Sequence, residues 1–121
     1  MSQAAKTIFI FGIYVVVLGI LLAIHPNLVI GPFGFPIAQE PWIRVLGVLA
    51  FVLGGYYVQA ARGGVTAFFR WSVGGRAMIL LGFVGLVLAG LAQPALILFG
   101  VIDAGGAMWT AYALKQDANR A

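Results

Sequence analysis

The fold class that this sequence predicts is an all-α integral membrane protein, a four-helix up-and-down transmembrane bundle, and three observations carry the expectation. Hydrophobic residues make up 63% of the chain and charged residues 8%, whereas a soluble domain is roughly 25% charged. The apolar residues fall into four long runs almost free of charge, each near the length that crosses a hydrocarbon core about 30 Å thick. The seven Lys and Arg residues stand mainly at the edges of those runs, a placement that suits lipid headgroups better than nucleic acid. One transmembrane domain, residues 1–121, accommodates all of this. With no cysteine in the chain, a disulfide, a thiolate metal site and a cysteine nucleophile are excluded.

The first span is expected over about 7–25. Its core is uncharged from Thr7 to Ile24, and it reaches spanning length only with Thr7 and His25 in the interfaces. Lys6 supplies a basic start like that of a signal peptide, but a small-residue cleavage pattern is missing, so a retained helix is expected. Pro26 ends it, because proline lacks the amide donor and disfavours helix at the residue before it. From Pro26 to Pro41, prolines 26, 32, 36 and 41 alternate with Gly31 and Gly34 among apolar residues. That composition predicts a turn-rich loop in the headgroups or over the mouth of the bundle.

Pro41 suits the first turn of the second span, about 42–61, where its missing donor costs nothing. Trp42 and Arg44 mark one interface, and Tyr56, Tyr57 and Arg62 the other, as aromatic and basic anchors. The segment RGGVTAFFRWSVGGR then reads as an interfacial connection whose Arg62, Arg70 and Arg76 meet lipid phosphate while Trp71 dips into the headgroups. The third span, about 77–92, is short enough that Arg76 is expected to snorkel to the surface. Gln93-Pro94 leaves almost no loop before the fourth span, about 95–114, which predicts a tight antiparallel hairpin. Four spans place both ends of the chain on one side. Lys6, Arg62, Arg70, Arg76, Lys115 and Arg120 share that side and only Arg44 lies opposite, so both ends are expected to be cytoplasmic.

Asp103 is the leading site candidate, roughly 13 Å along the fourth span from Pro94 and close to the midplane. A carboxylate at a helix centre costs about 2.5–3.5 kcal/mol to insert, so it should face protein or trapped water. Tyr14 falls at a similar depth, and Arg44 is within reach of extended side chains. Asp103, Tyr14 and Arg44 therefore form a candidate ligand, ion or proton site, set beside the plainer reading of a structural helix-helix hydrogen bond. Tyr56 and Tyr57 near Arg62 form a second candidate, for a quinone or a lipid head, against the commoner reading of an aromatic belt. Gly100, Ala104, Ala107 and Ala111 recur at spacings of three and four and predict a helix-packing stripe; Ala50 and Gly54 do the same on the second span.

Other chemistry finds little support. His25 is the sole histidine, with Glu40 as its only plausible company, and a metal site needs more ligands. Ser72 and His25 are expected on opposite sides, which removes a hydrolytic triad. The two Arg-Gly-Gly elements are better explained as joints than as RNA contacts, and GPFGF lacks the spacing and lysine of a phosphate loop. No catalytic residue, metal, cofactor or nucleic-acid partner is expected.

The Pro/Gly-rich first loop with His25-Pro26, Gly31 and Gly34, the pair Arg44 and Gly47 opening the second helix, and Arg76 before the third resemble the broad DoxX-like group of small bacterial four-helix membrane proteins. The resemblance extends over the chain at the level of four short spans. It implies an up-and-down bundle in the bacterial inner membrane, with some relatives tied to oxidoreductase systems and quinones, and transfers no catalytic motif. The leading expectation is a non-enzymatic accessory or interaction subunit that packs against itself or a larger membrane complex. Two further classes stay open. One is a binding or transport protein for a small amphiphile, cation or proton at Asp103; the other is a quinone-linked or isomerase-type enzyme with Asp103 as general acid or base.

Overall fold

A computed structural model describes residues 1–36 and 41–120; Glu40, the company expected for His25, lies outside the described residues. The elements are α1 (Gln3–Ile24), α2 (Pro26–Ile30), a 3-10 turn (Gly31–Phe33), α3 (Trp42–Gly63), α4 (Thr66–Leu88) and α5 (Leu96–Arg120). The described residues contain no strand. Helices α1, α3, α4 and α5 are long and apolar enough to cross a membrane.

Two boundaries differ from expectation. The first loop opens with helix, because Pro26 sits at the start of α2, where a fixed φ and an absent N–H favour helix initiation. The larger difference concerns the third span. Residues 66–76, read as an interfacial connection, are the first half of α4, which runs from Thr66 to Leu88 instead of over 77–92. Gly74 and Gly75 suggested a break, yet a helical glycine costs only about 1 kcal/mol relative to alanine. Burying one ring such as Phe69, 1% exposed, contributes about 1.5–3 kcal/mol, so packing wins. The early stop at Leu88 is set by Gly90, whose φ of 75° is left-handed. Gly90 N–H donates to the Val87 carbonyl at 3.0 Å and Leu91 N–H to the Leu86 carbonyl at 2.9 Å, the paired bonds of a Schellman close.

The chain forms two compact units, Phe9–Gln59 and Met1–Ile8 with Ala60–Ala121. In the unit of residues 9–59, α1 and α3 run antiparallel at backbone contact. A Cβ added to Gly47 would stand 2.7 Å from the Gly19 carbonyl oxygen, and one added to Gly54 would stand 2.9 Å from the Gly12 carbonyl oxygen. Gly12 and Gly19, like Gly47 and Gly54, are one heptad apart, so each pair presents two bare patches on one helix face. Beyond them the Arg44 guanidinium donates to the carbonyls of Ala23 and Ile24 at 2.7 and 2.9 Å. It satisfies acceptors that the end of α1 would otherwise leave open, with a charge that suits a helix C-terminus.

In the other unit, α4 and α5 are antiparallel, since Arg76 meets Thr110 while Leu80 and Phe83 meet Gly100. The start of α1 docks here through Asp117 of α5, whose two oxygens accept from Gln3 N–H at 3.1 Å and Ala4 N–H at 2.9 Å. Ser2 Oγ accepts from Ala5 N–H at 3.0 Å, so three of the amides that open α1 have partners. Substitution of Asp117 by Ala is expected to loosen the first turn of α1, because it removes the oxygens that cap two of its amides. Hydrogen exchange checks it: the amides of Gln3 and Ala4 should lose protection while those of α4 keep theirs.

Small and hydroxyl-bearing residues share the interior with Ile8, Phe11, Val15, Leu22, Tyr57 and Phe69, while a long aliphatic face is left outside. Buried positions include Ala4, Ala5, Thr7, Ala60, Ala61, Ser72, Ala107, Thr110 and Ala113. Exposed ones include Ile10, Ile13, Val17, Ile20 and Ile24 along α1, and Leu81 and Leu88 on α4. The α1 residues recur at spacings of three and four, a continuous aliphatic face. Water would penalise such a face.

Candidate functional site

The polar residues of the unit made by residues 1–8 and 60–121 converge on Arg76, 1% exposed. Helix α4 turns its 69, 72, 76 row inward because Phe69, Ser72 and Arg76 are its buried residues and the spacing keeps them on one face. Arg76 Nε donates to the Ser72 carbonyl at 3.2 Å, and one terminal nitrogen donates to Ser72 Oγ at 3.1 Å and Thr110 Oγ1 at 2.8 Å. Thr110 Oγ1 is 2.8 Å from Thr7 Oγ1.

The direction of this chain follows from proton count, since a hydroxyl has one proton to give. Thr7 donates to the Ala4 carbonyl at 2.7 Å, so Thr110 donates to Thr7 and accepts from Arg76. Ser72 donates to the Phe69 carbonyl at 2.7 Å and likewise accepts from Arg76. The guanidinium thus polarises two hydroxyl relays, each ending on a helix carbonyl. Asp103, half-buried on α5, lies within the field of the Arg76 charge. A buried cation needs such company, because an uncompensated charge in a dry interior is very costly.

Thr110 is the junction of the relay, and Thr110→Val tests it. The change keeps side-chain shape, removes the link from Arg76 to Thr7, and should cost about 1–3 kcal/mol in unfolding experiments. Thr66→Val at an exposed position should stay within about 0.5 kcal/mol; equal effects at the two sites would count against the relay.

The expected site residues are only partly brought together. Asp103 belongs to the unit containing Arg76, whereas Tyr14 and Arg44 belong to residues 9–59. Tyr14 is half-buried with its ring centroid 5.6 Å from that of Phe11, and Arg44 is directed to the end of α1. Tyr56 and Tyr57 separate: Tyr56 is exposed, while Tyr57 is buried with its ring 5.4 Å from Phe11. Successive helical residues point about 100° apart, which makes a shared Tyr56–Tyr57 belt unsuited to this helix. Trp42, Arg62, Arg70 and Trp71 are exposed.

Arg76 requires correction: it does not snorkel to a surface, because Ser72 and Thr110 offer it acceptors inside the unit. In the small-residue stripe Gly100 and Ala107 are buried and Ala104 is half-buried, but Ala111 is exposed. The packed row continues instead through Thr110 and Ala113. Thr7, Ser72 and Thr110 were missed by sequence reasoning, as were Gly12 and Gly19. The heptad-spaced glycine pairs carried a readable signal; single hydroxyls on three helices did not. Among the described residues no three His, Asp or Glu side chains are grouped as a metal would need.

The fold and this polar network define an all-helical chain with candidate membrane spans. Comparison with known protein families, characterised proteins and solved structures finds no match.

Proposed function

We propose that this chain is a multi-pass protein of the bacterial inner membrane, with both ends cytoplasmic, that serves as an accessory subunit packing against itself or a larger membrane complex. The observation that carries the reading is where bare helix surface remains. Glycines 12, 19, 47, 54 and 100 each have a neighbouring helix in the place of a side chain, whereas a Cβ on Gly74, Gly75, Gly82 or Gly85 of α4 would meet nothing within 4 Å. In hydrocarbon, where lipid tails are as apolar as leucine, small residues favour helix association through close approach. The α4 face is therefore the surface on which another membrane helix packs. The continuous aliphatic face that α1 leaves exposed, Ile10, Ile13, Val17, Ile20 and Ile24, supports the membrane setting, and the resemblance to the DoxX-like group belongs to the same reading.

Gentle extraction followed by native mass spectrometry tests it. The expected result is an assembly larger than one chain that dissociates in Gly82→Leu/Gly85→Leu while helicity is kept. A monomer with and without the substitutions would remove the proposal. A second reading, binding or transport of a cation or proton at Asp103, draws on that carboxylate's half-buried place within the field of Arg76. It requires Asp103→Asn to abolish uptake or binding at unchanged stability.

A further inference from the structure

We infer that the end of the unit of residues 1–8 and 60–121 formed by the start of α1, the α3–α4 turn and the end of α5 is a binding surface for anionic phospholipid headgroups. The inference rests on the membrane reading above and goes beyond it by naming a partner. Placement comes first. Asp117 holds the first turn of α1, and Thr110 touches both Thr7 and Arg76, so these helix ends lie together in one unit. Arg62 occupies the last turn of α3, and the turn into α4 is short: Gly64 N–H donates to the Ala61 carbonyl at 3.3 Å and Val65 N–H to the Ala60 carbonyl at 3.0 Å. Lys6, Arg62, Arg70, Lys115 and Arg120 are all exposed there.

Charge balance comes second. Among the described side chains the carboxylate at this end is Asp117, and both its oxygens accept α1 amides, so its charge is largely committed to a helix N-terminus. Asp103 lies about four turns deeper along α5, within the field of the buried Arg76. The surface cations are therefore left in large excess. The local fold supplies the third observation. Phe69 is buried at 1% exposure while Trp71, two residues on, is 72% exposed; Phe69 pins the start of α4 and Arg70 and Trp71 are held outward. An indole beside guanidinium and ammonium groups, next to helices of spanning length, matches an anionic leaflet: the ring sits at headgroup level and the cations meet phosphate. At the other end of α1, by contrast, Arg44 donates to two helix carbonyls.

The test uses the full chain as Trp42→Phe/Trp109→Phe, which leaves Trp71 as the one tryptophan. It is reconstituted in phosphatidylcholine vesicles containing an equal mole fraction of brominated phosphatidylglycerol or brominated phosphatidylcholine. Brominated phosphatidylglycerol should quench Trp71 in preference. Arg62→Gln/Arg70→Gln/Lys115→Gln should lower that preference by at most roughly fivefold per cation removed, raised salt should weaken it, and Arg62→Lys/Arg70→Lys should retain it. Arg44→Gln should leave it unchanged. Equal quenching by the two lipids, or a preference indifferent to the glutamine substitutions, overturns the inference and leaves the membrane reading standing. Quenching by neither lipid overturns both. Protection of Trp71 by added polyglutamate, with the lipids quenching alike, would assign the surface to an acidic protein and also overturn it.

Discussion

Substitution of Arg76 by Met is expected to lower unfolding free energy by about 3–5 kcal/mol, the cost of breaking a buried charge arrangement by removing one partner. The change withdraws the donor from Ser72 and Thr110 and leaves Asp103 without the charge that compensates it. Arg76→Lys should recover only part of the loss, because an ammonium keeps the charge but not the planar fork that reaches the Ser72 carbonyl and two hydroxyls together. The decisive comparison is the double substitution Arg76→Met/Asp103→Leu. If the two groups compensate each other, their joint removal costs less than the sum of the single losses. Unfolding in mixed micelles with rising SDS, followed by circular dichroism, measures the parent chain, Arg76→Met, Arg76→Lys, Asp103→Leu and the double variant. A loss below about 1 kcal/mol for Arg76→Met, or strict additivity in the double variant, would show that the cluster does not hold the unit together.

The second large effect is expected in residues 9–59. Gly47→Leu must fit a side chain where an added Cβ would already stand 2.5 Å from the Ala23 amide nitrogen and 2.7 Å from the Gly19 carbonyl oxygen. Those are backbone atoms of a helix and cannot swing aside, so α1 and α3 must separate. Overpacking of this kind costs about 1–3 kcal/mol and sometimes more, and here it also pulls the Ala23 and Ile24 carbonyls away from Arg44. Gly47→Ala should show a smaller loss of the same sign. Gly55→Ala is the matched control: a Cβ there meets nothing within 4 Å, and replacing a helical glycine should change stability by at most about 1 kcal/mol, in the stabilising direction. The same titration reads these proteins. A harmless Gly47→Leu would mean that the helices do not meet at backbone distance.

Much of the helical architecture was legible in the residues. Runs of apolar side chains marked four helices of spanning length, and Pro26 and Pro41 fell at helix boundaries. These are local properties: run length, a missing amide and a fixed φ act on the segment that carries them. The near-loopless hairpin expected at Gln93-Pro94 is instead the longer link 89–95, because Gly90 ends α4 at Leu88. The direction of single side chains was another matter. Arg62, Arg70 and Arg76 looked alike in sequence, as three arginines among glycines and aromatic residues. Two are exposed and the third is sealed inside, because only Arg76 finds Thr110 across from it. Tyr56 and Tyr57 divide in the same way, since only Tyr57 meets Gly12 and Phe11.

By itself, then, the sequence determined the helical class, the four apolar segments and the concentration of charge at their ends, because each depends on composition over a single stretch of chain. Tertiary structure alone decided that the start of α4 is helix with a buried face, that Gly12 and Gly19 pack against Gly54 and Gly47, and that Arg76 is sealed against Ser72 and Thr110. Each of these depends on what a second helix, distant in sequence, places opposite a residue. In an almost uniformly apolar chain, hydrophobic periodicity says little about which face turns inward; close backbone approach and a few hydrogen bonds make that choice.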